Sequence, residues 1–163
     1  MDEFRIDSIP AKDPALDDVE RMLGEMYEYM QQHGLTLPLA ENGAQKLRRS
    51  MESSLGRTGV LFVARNAGGP VGFIHGMLRL TPDYLGGEVV GLLNHTYVRE
   101  PFRKHGLGAR LSSALHDWFV SKNVSSIELQ VITGNTNAIE FWRSQGFAPE
   151  LLQMRKPLRP RSS

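Results

Sequence analysis

An amphipathic stripe between residues 107 and 119 is the clearest pattern of apolar and polar positions in the chain. The apolar positions recur at helical spacing and fall on one face: Leu107, Leu111, Ala114, Leu115, Trp118 and Phe119. A second stripe follows Asp13 and Pro14 and ends at Gly34. We interpret Asp13 as the N-cap of this helix and Pro14 as its first helical residue. A weaker stripe covers 44–55. These stripes predict three helices.

Shorter runs with alternating or mostly apolar residues predict strands. The runs are 4–9, 59–65, 71–80, 88–98, 125–132 and 149–158. The turn sequence NAGGP joins the second run to the third, which predicts a β-hairpin, and the long run 88–98 is expected to be central in a sheet. A fourth helix is predicted from Asn137, as N-cap with Glu140 three positions later, to Gly146.

The predicted elements follow in the order β-α-α-β-β-β-α-β-α-β. Consecutive strands in the middle and a β-α-β unit near the end predict an α/β fold with a single mixed, largely antiparallel sheet and helices on both faces. No internal repeat or low-complexity segment interrupts this order. We interpret residues 1–158 as one domain and 159–163 as a basic C-terminal tail.

Composition and charge narrow the function classes. The 163 residues are 40% hydrophobic and 23% charged, as in a soluble globular domain. With 19 basic and 18 acidic side chains the formal net charge is +1, which disfavours nucleic-acid and membrane-surface partners. The absence of cysteine excludes a disulfide framework, a Cys nucleophile and Cys-ligated zinc. The scattered histidines lack metal-ligand spacing, so no metal is predicted.

A cytoplasmic location is expected from two further observations. The first ten residues are acidic and poor in apolar side chains, unlike a signal peptide. No apolar run approaches the roughly 20 residues that span a bilayer.

The stretch VREPFRKHGLGAR, residues 98–110, joins the predicted strand 88–98 to the predicted helix. The first turn of a helix has N–H groups without intrahelical partners, which attract anions, and Gly106 and Gly108 allow a phosphate to approach the backbone. Three basic residues precede or flank the glycines: Arg103, Lys104 and His105. This pattern indicates a pyrophosphate site, while the two glycines alone fit a tight strand-to-helix turn equally well. It matches neither a P-loop nor a complete dinucleotide fingerprint, because Leu111 stands at the last glycine position.

Arg103, Gly106 and Gly108 form the pattern Arg-x-x-Gly-x-Gly, which resembles the acetyl-CoA signature of the GCN5-related N-acetyltransferase (GNAT) superfamily. The segment NTNAIEFWRSQGF, residues 135–147, resembles a second family element through Asn135, Ala138, Gly146 and Phe147. The order of the predicted elements is also that of the family. The resemblance covers essentially the whole chain, most specifically residues 88–147.

The resemblance implies how acetyl-CoA binds. The strand 88–98 is expected to carry a bulge and to splay from 125–132, so that the pantetheine arm lies in the gap. The residues that the resemblance assigns to the cofactor are Tyr97, Val98, Arg103, Lys104, His105, Gly106, Leu107, Gly108, Ala109, Asn135 and Phe141. The pyrophosphate is expected on the loop amides, and charge alone points to Lys104 or Arg143 for the 3′-phosphate.

For catalysis, the resemblance implies direct attack of an unprotonated amine on the thioester in a ternary complex, with the Val98 N–H as oxyanion donor. The family often places a carboxylate where this chain has Asn94 and His95. His95, with an unperturbed pKa near 6.5, is a candidate base, and a buried sheet histidine is the equal alternative. Glu88 is a second candidate base. Trp142 stands where the family often has Tyr, and indole N–H is not a useful acid.

We therefore expect an acetyl-CoA-dependent N-acetyltransferase whose acceptor is a small-molecule or peptide amine. The alternative is a non-catalytic acyl-CoA-binding or regulatory module, favoured by Trp142 and the missing carboxylate. The first helix carries Glu25, Tyr27, Glu28 and Tyr29, which form either an acidic aromatic wall for a cationic amine or a solvated face. A homodimer is possible, because a short C-terminal strand leaves a sheet edge for a partner.

Overall fold

The computed structural model describes residues 3–160; the last three residues of the predicted tail, 161–163, and residues 1–2 lie outside the described part. The elements are β1 (Arg5–Ser8), α1 (Leu16–Gln32), α2 (Gly43–Ser54), β2 (Gly59–Asn66), β3 (Gly69–Leu80), β4 (Val89–Val98), α3 (Leu107–Ser121), β5 (Ile127–Leu129) and α4 (Thr136–Ser144). Two short 3-10 turns, Asp83–Leu85 and Glu100–Phe102, precede and follow β4.

The five strands form one sheet in the order β1-β2-β3-β4-β5. Every neighbouring pair is antiparallel except β4 and β5, which are parallel. The prediction of a single mixed, largely antiparallel sheet is therefore confirmed, and so is the β2–β3 hairpin.

The alternation of side chains along the strands builds a core on each face of the sheet. On β3, Phe73 joins the core formed with α1 and α2, whereas Ile74 joins the core formed with α3 and α4. Glycines in the central strands have no side chain, so α3 packs directly against the backbone of the sheet. A Cβ at Gly91 would stand 2.7 Å from ring carbons of the fully buried Phe119. The sheet is thus covered by helices on both sides, as expected.

Two predicted helix starts are wrong. The first helix begins at Leu16, and Asp13 instead accepts a hydrogen bond from the Ala15 N–H (2.9 Å) in the turn before it. The fourth helix begins two residues earlier than predicted, because the side chain of Asn135, not that of Asn137, accepts the hydrogen bond of its first turn, from the Ala138 N–H (3.2 Å). A side chain therefore caps the start of α4, whereas α1 begins without a side-chain cap.

The last part of the chain departs most from the sequence-based picture. β5 covers 127–129 where 125–132 was expected. The predicted final strand 149–158 is not formed, and every residue from 148 to 160 is exposed. A strand needs a neighbour to satisfy its backbone groups, and residues 149–158 pair with no strand within residues 3–160. None of the helices in that range is long and apolar enough to cross a membrane.

Candidate functional site

The centre of the site is a bulge in β4. The register of the β3–β4 pair shifts between His75 and Gly76, which face His95 and Leu93, so Asn94 has no partner on β3. The β4–β5 pair ends at the same level, with Leu93 opposite Leu129. Beyond this point β4 continues to Val98 without a strand on its β5 side. The expected bulge and the expected gap are therefore both present.

The backbone groups that face this gap follow from the alternation along β4. The Arg99 N–H donates to the Val71 carbonyl (2.9 Å), so it points toward β3. Because neighbouring residues of a strand point to opposite edges, the N–H groups of Val98 and Thr96 point toward the gap. The Val98 carbonyl accepts a hydrogen bond from Arg103 Nε (2.8 Å), which leaves its N–H as the group open to a ligand.

The loop after β4 presents a row of unpaired donors. No backbone N–H of residues 104–109 donates a hydrogen bond within the described part of the chain. Lys104 and Gly106 have left-handed φ angles of 65° and 74°, which turn successive amides toward one side, and the first intrahelical bond of α3 is donated by Arg110. Successive N–H groups with alternating backbone handedness form an anion-binding concavity at the positive end of a helix.

The side chains in and beside this loop differ in their burial and contacts. Leu107 is buried in the core and fixes the first turn of α3, so only its N–H faces the loop surface. His105 is exposed, and its Nδ1 lies 2.9 Å from the Arg103 carbonyl. Lys104 and Arg143 both expose their side chains, as a contact with a 3′-phosphate requires.

α4 borders the same loop. A Cβ at Gly108 would lie 3.5 Å from Cζ of Phe141, so the Phe141 ring stands beside the row of free amides. Asn135 uses its Oδ1 as the N-cap of α4, and its amide nitrogen has no partner within residues 3–160. The two sequence motifs, separated by more than twenty residues, therefore come together on either side of the gap.

Arg103 does not direct its charge to the loop amides. Besides the bond to the Val98 carbonyl, its guanidinium lies over the rings of Tyr29 (4.7 Å) and Tyr97 (5.3 Å). Burial, and next the negative charge of Glu25, raise the pKa of the Tyr97 hydroxyl. The side chain thereby ties the end of β4 to α1, and the assignment of Arg103 to the cofactor stays a prediction.

His95 is half-buried and lies beside the fully buried His75. Its ring stacks on His75 with centroids 6.4 Å apart, and His75 Nε2 lies 3.0 Å from Ser54 Oγ on α2. Burial lowers the pKa of each ring to about 4; for His75 the neighbouring His95 adds to the effect. Nδ1 of each ring has no hydrogen-bond partner in the described chain. His95 lies on the same face of β4 as Tyr97, one residue beyond the bulge.

The other two candidate catalytic side chains are placed differently. Asn94 is exposed at the bulge, where β4 separates from β5. Glu88 precedes β4 and is exposed; its N–H donates to Thr81 Oγ1 (2.8 Å) at the opposite end of the strand. His95 is seven positions further along the chain, which in extended backbone corresponds to roughly 23 Å. The structure therefore brings Asn94 and His95 to the gap and leaves Glu88 far from it.

Trp142 is a core residue. It is 7% exposed and packs edge-on against Phe141 (4.8 Å) and Phe147 (5.5 Å). The indole therefore holds α4 against the sheet and is not directed as an acid at a substrate. The position at which the family often has Tyr supplies packing here.

The predicted acidic wall on α1 is partly neutralised. Arg99 donates to both carboxylate oxygens of Glu25, from Nε at 3.2 Å and from Nη2 at 3.1 Å. Tyr29 is covered by the Arg103 guanidinium. Sequence reasoning missed Arg99 and the His75–Ser54 pair, because each contact joins residues 21 or 74 positions apart and no local pattern signals it.

The far end of α1 closes one side of the gap. A Cβ at Gly134 would collide with the carbonyl oxygen of His33, so the segment before α4 lies directly against the end of α1. Gly134 is required there because any side chain would force the two segments apart. The site is therefore enclosed by α1, the end of β4, the loop 103–109 and the start of α4.

Comparison with known proteins gives a family and several structural relatives. The model of the acetyltransferase (GNAT) family matches residues 20–147. No curated protein matches the chain significantly.

Three solved structures illustrate the structural likeness. The aminoglycoside N-acetyltransferase AAC(6')-Iy in complex with CoA is 16% identical, with a TM-score of 0.74 over 96% of each chain. The aminoglycoside acetyltransferase meta-AAC0020 from an uncultured soil metagenomic sample, in complex with sisomicin, is 14% identical, with a TM-score of 0.70 over 96% of this chain and 97% of that one. A mutant of the BH1408 protein from Bacillus halodurans is 18% identical, with a TM-score of 0.79 over 95% and 99%.

Proposed function

The chain belongs to the acetyltransferase (GNAT) family, and on that premise we propose that it transfers an acetyl group from acetyl-CoA to a primary amine by direct attack in a ternary complex. The observation that carries the proposal is the row of free N–H groups at 104–109 beside the gap between β4 and β5. An anion concavity next to an unpaired strand edge fits a ligand that has a pyrophosphate at one end and an amide-rich arm at the other.

Acetyl-CoA supplies the activated acyl group as a thioester. In our proposal the amides of the loop 104–109 bind its pyrophosphate, and the open edge of β4 at Thr96 and Val98 binds the pantetheine arm. Asn135 has a free amide nitrogen for the same arm, and Phe141 packs beside it. Lys104 or Arg143 offers a cation for the 3′-phosphate.

The Val98 N–H is the proposed oxyanion donor. It faces the gap, and the pairing of β4 with β3 on one side and the Arg103 bond to the Val98 carbonyl on the other hold the backbone around it before a ligand binds. A preorganised backbone donor of this kind stabilises developing negative charge without reorganising during the reaction.

His95 is the proposed proton acceptor, at the bulge and beside Asn94. A pKa of about 4 keeps its ring neutral throughout the physiological range, so the ring is ready to accept a proton but is a weak base. If His95 limits the reaction, the acid limb of the rate profile falls near pH 4 and not near 6.5. The departing thiolate receives its proton from water, since Trp142 is buried and donates poorly.

A small cationic amine is the proposed acceptor. Two of the structural relatives are aminoglycoside acetyltransferases, whose acceptors are polycationic small molecules. On this chain Glu25 is bound to Arg99, which leaves Glu28 as the acidic residue of α1 nearest to the covered Tyr29. A compact acceptor with few positive charges fits this reduced acidic surface better than a highly charged one.

The test has two stages on the full chain. Calorimetry with acetyl-CoA comes first, and absence of binding at high micromolar concentration would refute the proposal. A panel of amines is then screened for release of CoA thiol, which a thiol reagent reports cleanly because the protein has no cysteine. His95→Gln is expected to lower kcat by roughly 10²-fold or more with little change in acetyl-CoA affinity. His116→Gln, on the exposed face of α3, is the matched control and leaves both unchanged.

A non-catalytic acyl-CoA-binding module is the second candidate. The buried Trp142 and the low pKa of His95 favour it, because neither residue is a strong acid or base at neutral pH. Tight acetyl-CoA binding with no thiol release across the amine panel would support this function and exclude the first.

A further inference from the structure

Ser54 on α2 determines which nitrogen of the His75 ring carries the hydrogen. The Ser54 hydroxyl oxygen lies 2.6 Å from the Met51 carbonyl oxygen and 3.0 Å from His75 Nε2. A carbonyl oxygen can only accept, so the single hydroxyl hydrogen of Ser54 is donated to Met51. Toward His75 the same hydroxyl can then only accept, which requires a hydrogen on Nε2. His75 is therefore the Nε2–H tautomer, and its Nδ1 carries a lone pair.

The Ser54 hydroxyl is held in place by its surroundings. Ser54 is 5% exposed and His75 is 1% exposed. A Cβ at Gly59 would collide with Ser54 Oγ, so the hydroxyl lies directly against the backbone of β2. Burial lowers the pKa of His75 to about 4, which keeps the ring neutral near pH 7. A neutral ring held in this way cannot change its tautomer without breaking the bond to Ser54.

The lone pair of His75 Nδ1 is buried and lacks a donor. Within residues 3–160, three side-chain atoms are buried without a hydrogen-bond partner: Arg65 Nε, His75 Nδ1 and His95 Nδ1. The two histidines are opposite each other on β3 and β4, with ring centroids 6.4 Å apart and ring planes at 21°. Because buried polar atoms are nearly always hydrogen-bonded, two such atoms on neighbouring rings indicate a shared partner.

The two ring nitrogens of His95 have different surroundings. Nδ1 is buried without a partner. Nε2 is not one of the buried unpartnered atoms of residues 3–160 and makes no hydrogen bond in that range, so it lies on the open side of this half-buried ring. Nε2 can accept a proton only if the ring hydrogen is on Nδ1. An N–H directed toward the lone pair of His75 Nδ1 is electrostatically favourable, whereas a second lone pair there is unfavourable.

We propose that His75 and Ser54 are positioning residues that hold His95 in the Nδ1–H tautomer, with the lone pair of its Nε2 free at the gap. No direct bond joins the two Nδ1 atoms, so one bridging water donates to that of His75 and accepts from that of His95. The chain of donors then runs from His95 through His75 and Ser54 to the Met51 carbonyl. The catalytic consequence rests on the proposed function, in which His95 accepts the proton of the amine.

Long-range proton–nitrogen correlation spectra of the resting protein test the tautomers directly, because they distinguish a protonated ring nitrogen from a bare one. The chain has five histidines, and the signals of the pair are those lost in His75→Gln and in His95→Gln. We expect Nε2–H for His75 and Nδ1–H for His95. The opposite tautomer of either ring overturns the proposal. The measurement needs neither cofactor nor amine, so it does not depend on the proposed function.

Ser54→Ala and Ser53→Ala form a matched pair of variants. Ser53 makes the same kind of bond within α2, to the Ser50 carbonyl (2.7 Å), but it is exposed and has no bond to His75. Ser54→Ala is expected to release His75 and to leave His95 in a mixture of tautomers. We expect kcat to fall roughly tenfold with an unchanged KM for acetyl-CoA. Ser53→Ala is expected to keep both tautomers and the wild-type kcat.

The remaining outcomes separate the positioning role from a structural one. A Ser54→Ala variant with a lower Tm and unchanged tautomers overturns the proposal, because Ser54 then only stabilises the fold. Changed tautomers with an unchanged kcat overturn the catalytic consequence. The expected tautomers without thiol release from any amine support the arrangement of the two rings and refute the proposed function, so the two failures are distinguishable.

Discussion

We expect the pair of His75, which is buried, and His95, which is half-buried, to make the stability of the protein sensitive to mild acid. Burial lowers the pKa of both His75 and His95 to about 4, whereas an unfolded histidine titrates near 6.5. As the pH falls below 6.5, the two histidines become protonated in the unfolded chain but stay neutral in the folded chain. The stabilisation is therefore fully present above pH 6.5 and is lost progressively toward pH 4.

The size of the effect follows from these two pKa values. Between pH 7 and pH 5 the loss is about 2 kcal/mol for each ring, and about 4 kcal/mol for the pair if the two rings titrate independently. A domain of this size is typically stable by about 5–15 kcal/mol, so the loss is a large part of the total.

Urea unfolding followed by tryptophan fluorescence at pH 7 and pH 5 measures this loss. His75→Gln removes one titrating ring and retains an N–H for Ser54 Oγ, so the difference between the two pH values is expected to fall by about half. His116→Gln removes an exposed histidine and is expected to leave the difference unchanged. A wild-type difference below about 1 kcal/mol, or an unaltered difference in His75→Gln, would show that the pair does not govern acid sensitivity.

Two glycine substitutions test the loop and the core. Gly106→Ala places a side chain on a residue with a left-handed φ of 74°, which costs about 1–2 kcal/mol. Because the strain distorts the free amides of the loop, calorimetry is expected to show roughly tenfold weaker acetyl-CoA binding. Gly146→Ala, with φ 95° outside the loop, should lower Tm without altering that affinity. Gly91→Ala pushes a methyl group into Phe119 and should cost about 1–3 kcal/mol in urea unfolding. Gly24 lies in a helix with open space around it, so Gly24→Ala should raise the free energy of unfolding by about 0.5–1 kcal/mol. A less stable Gly24→Ala variant, or a Gly91→Ala variant as stable as the wild type, would contradict this description of the core.

The parts of the fold that the sequence predicts well depend on local patterns. The α3 stripe repeats over more than three turns, and the β2–β3 hairpin has its turn residues between two apolar runs. The loop 103–109 can be recognised in the sequence because its glycines lie next to the start of the α3 stripe. The order of the strands follows from these elements and from the short connections between them.

The failures depend on contacts distant in sequence. The role of Arg103 is set by Tyr29 on α1, and the sequence around Arg103 carries no sign of that partner. The same holds for the burial of His95 beside His75. Residues 149–158 have the residue pattern of a strand but pair with no other strand within residues 3–160, and pairing cannot be predicted from one segment alone.

The unpaired amides of residues 104–109 also affect how the protein is handled in solution. N–H groups that bind a phosphate ester, as we propose for this loop, also bind simple inorganic anions, so we expect phosphate or sulfate in a buffer to occupy them. Affinities measured in phosphate buffer will therefore be weaker than those measured in a buffer of bulky organic anions. Ammonium sulfate, used to concentrate the protein, will act as a competitive ligand as well as a precipitant.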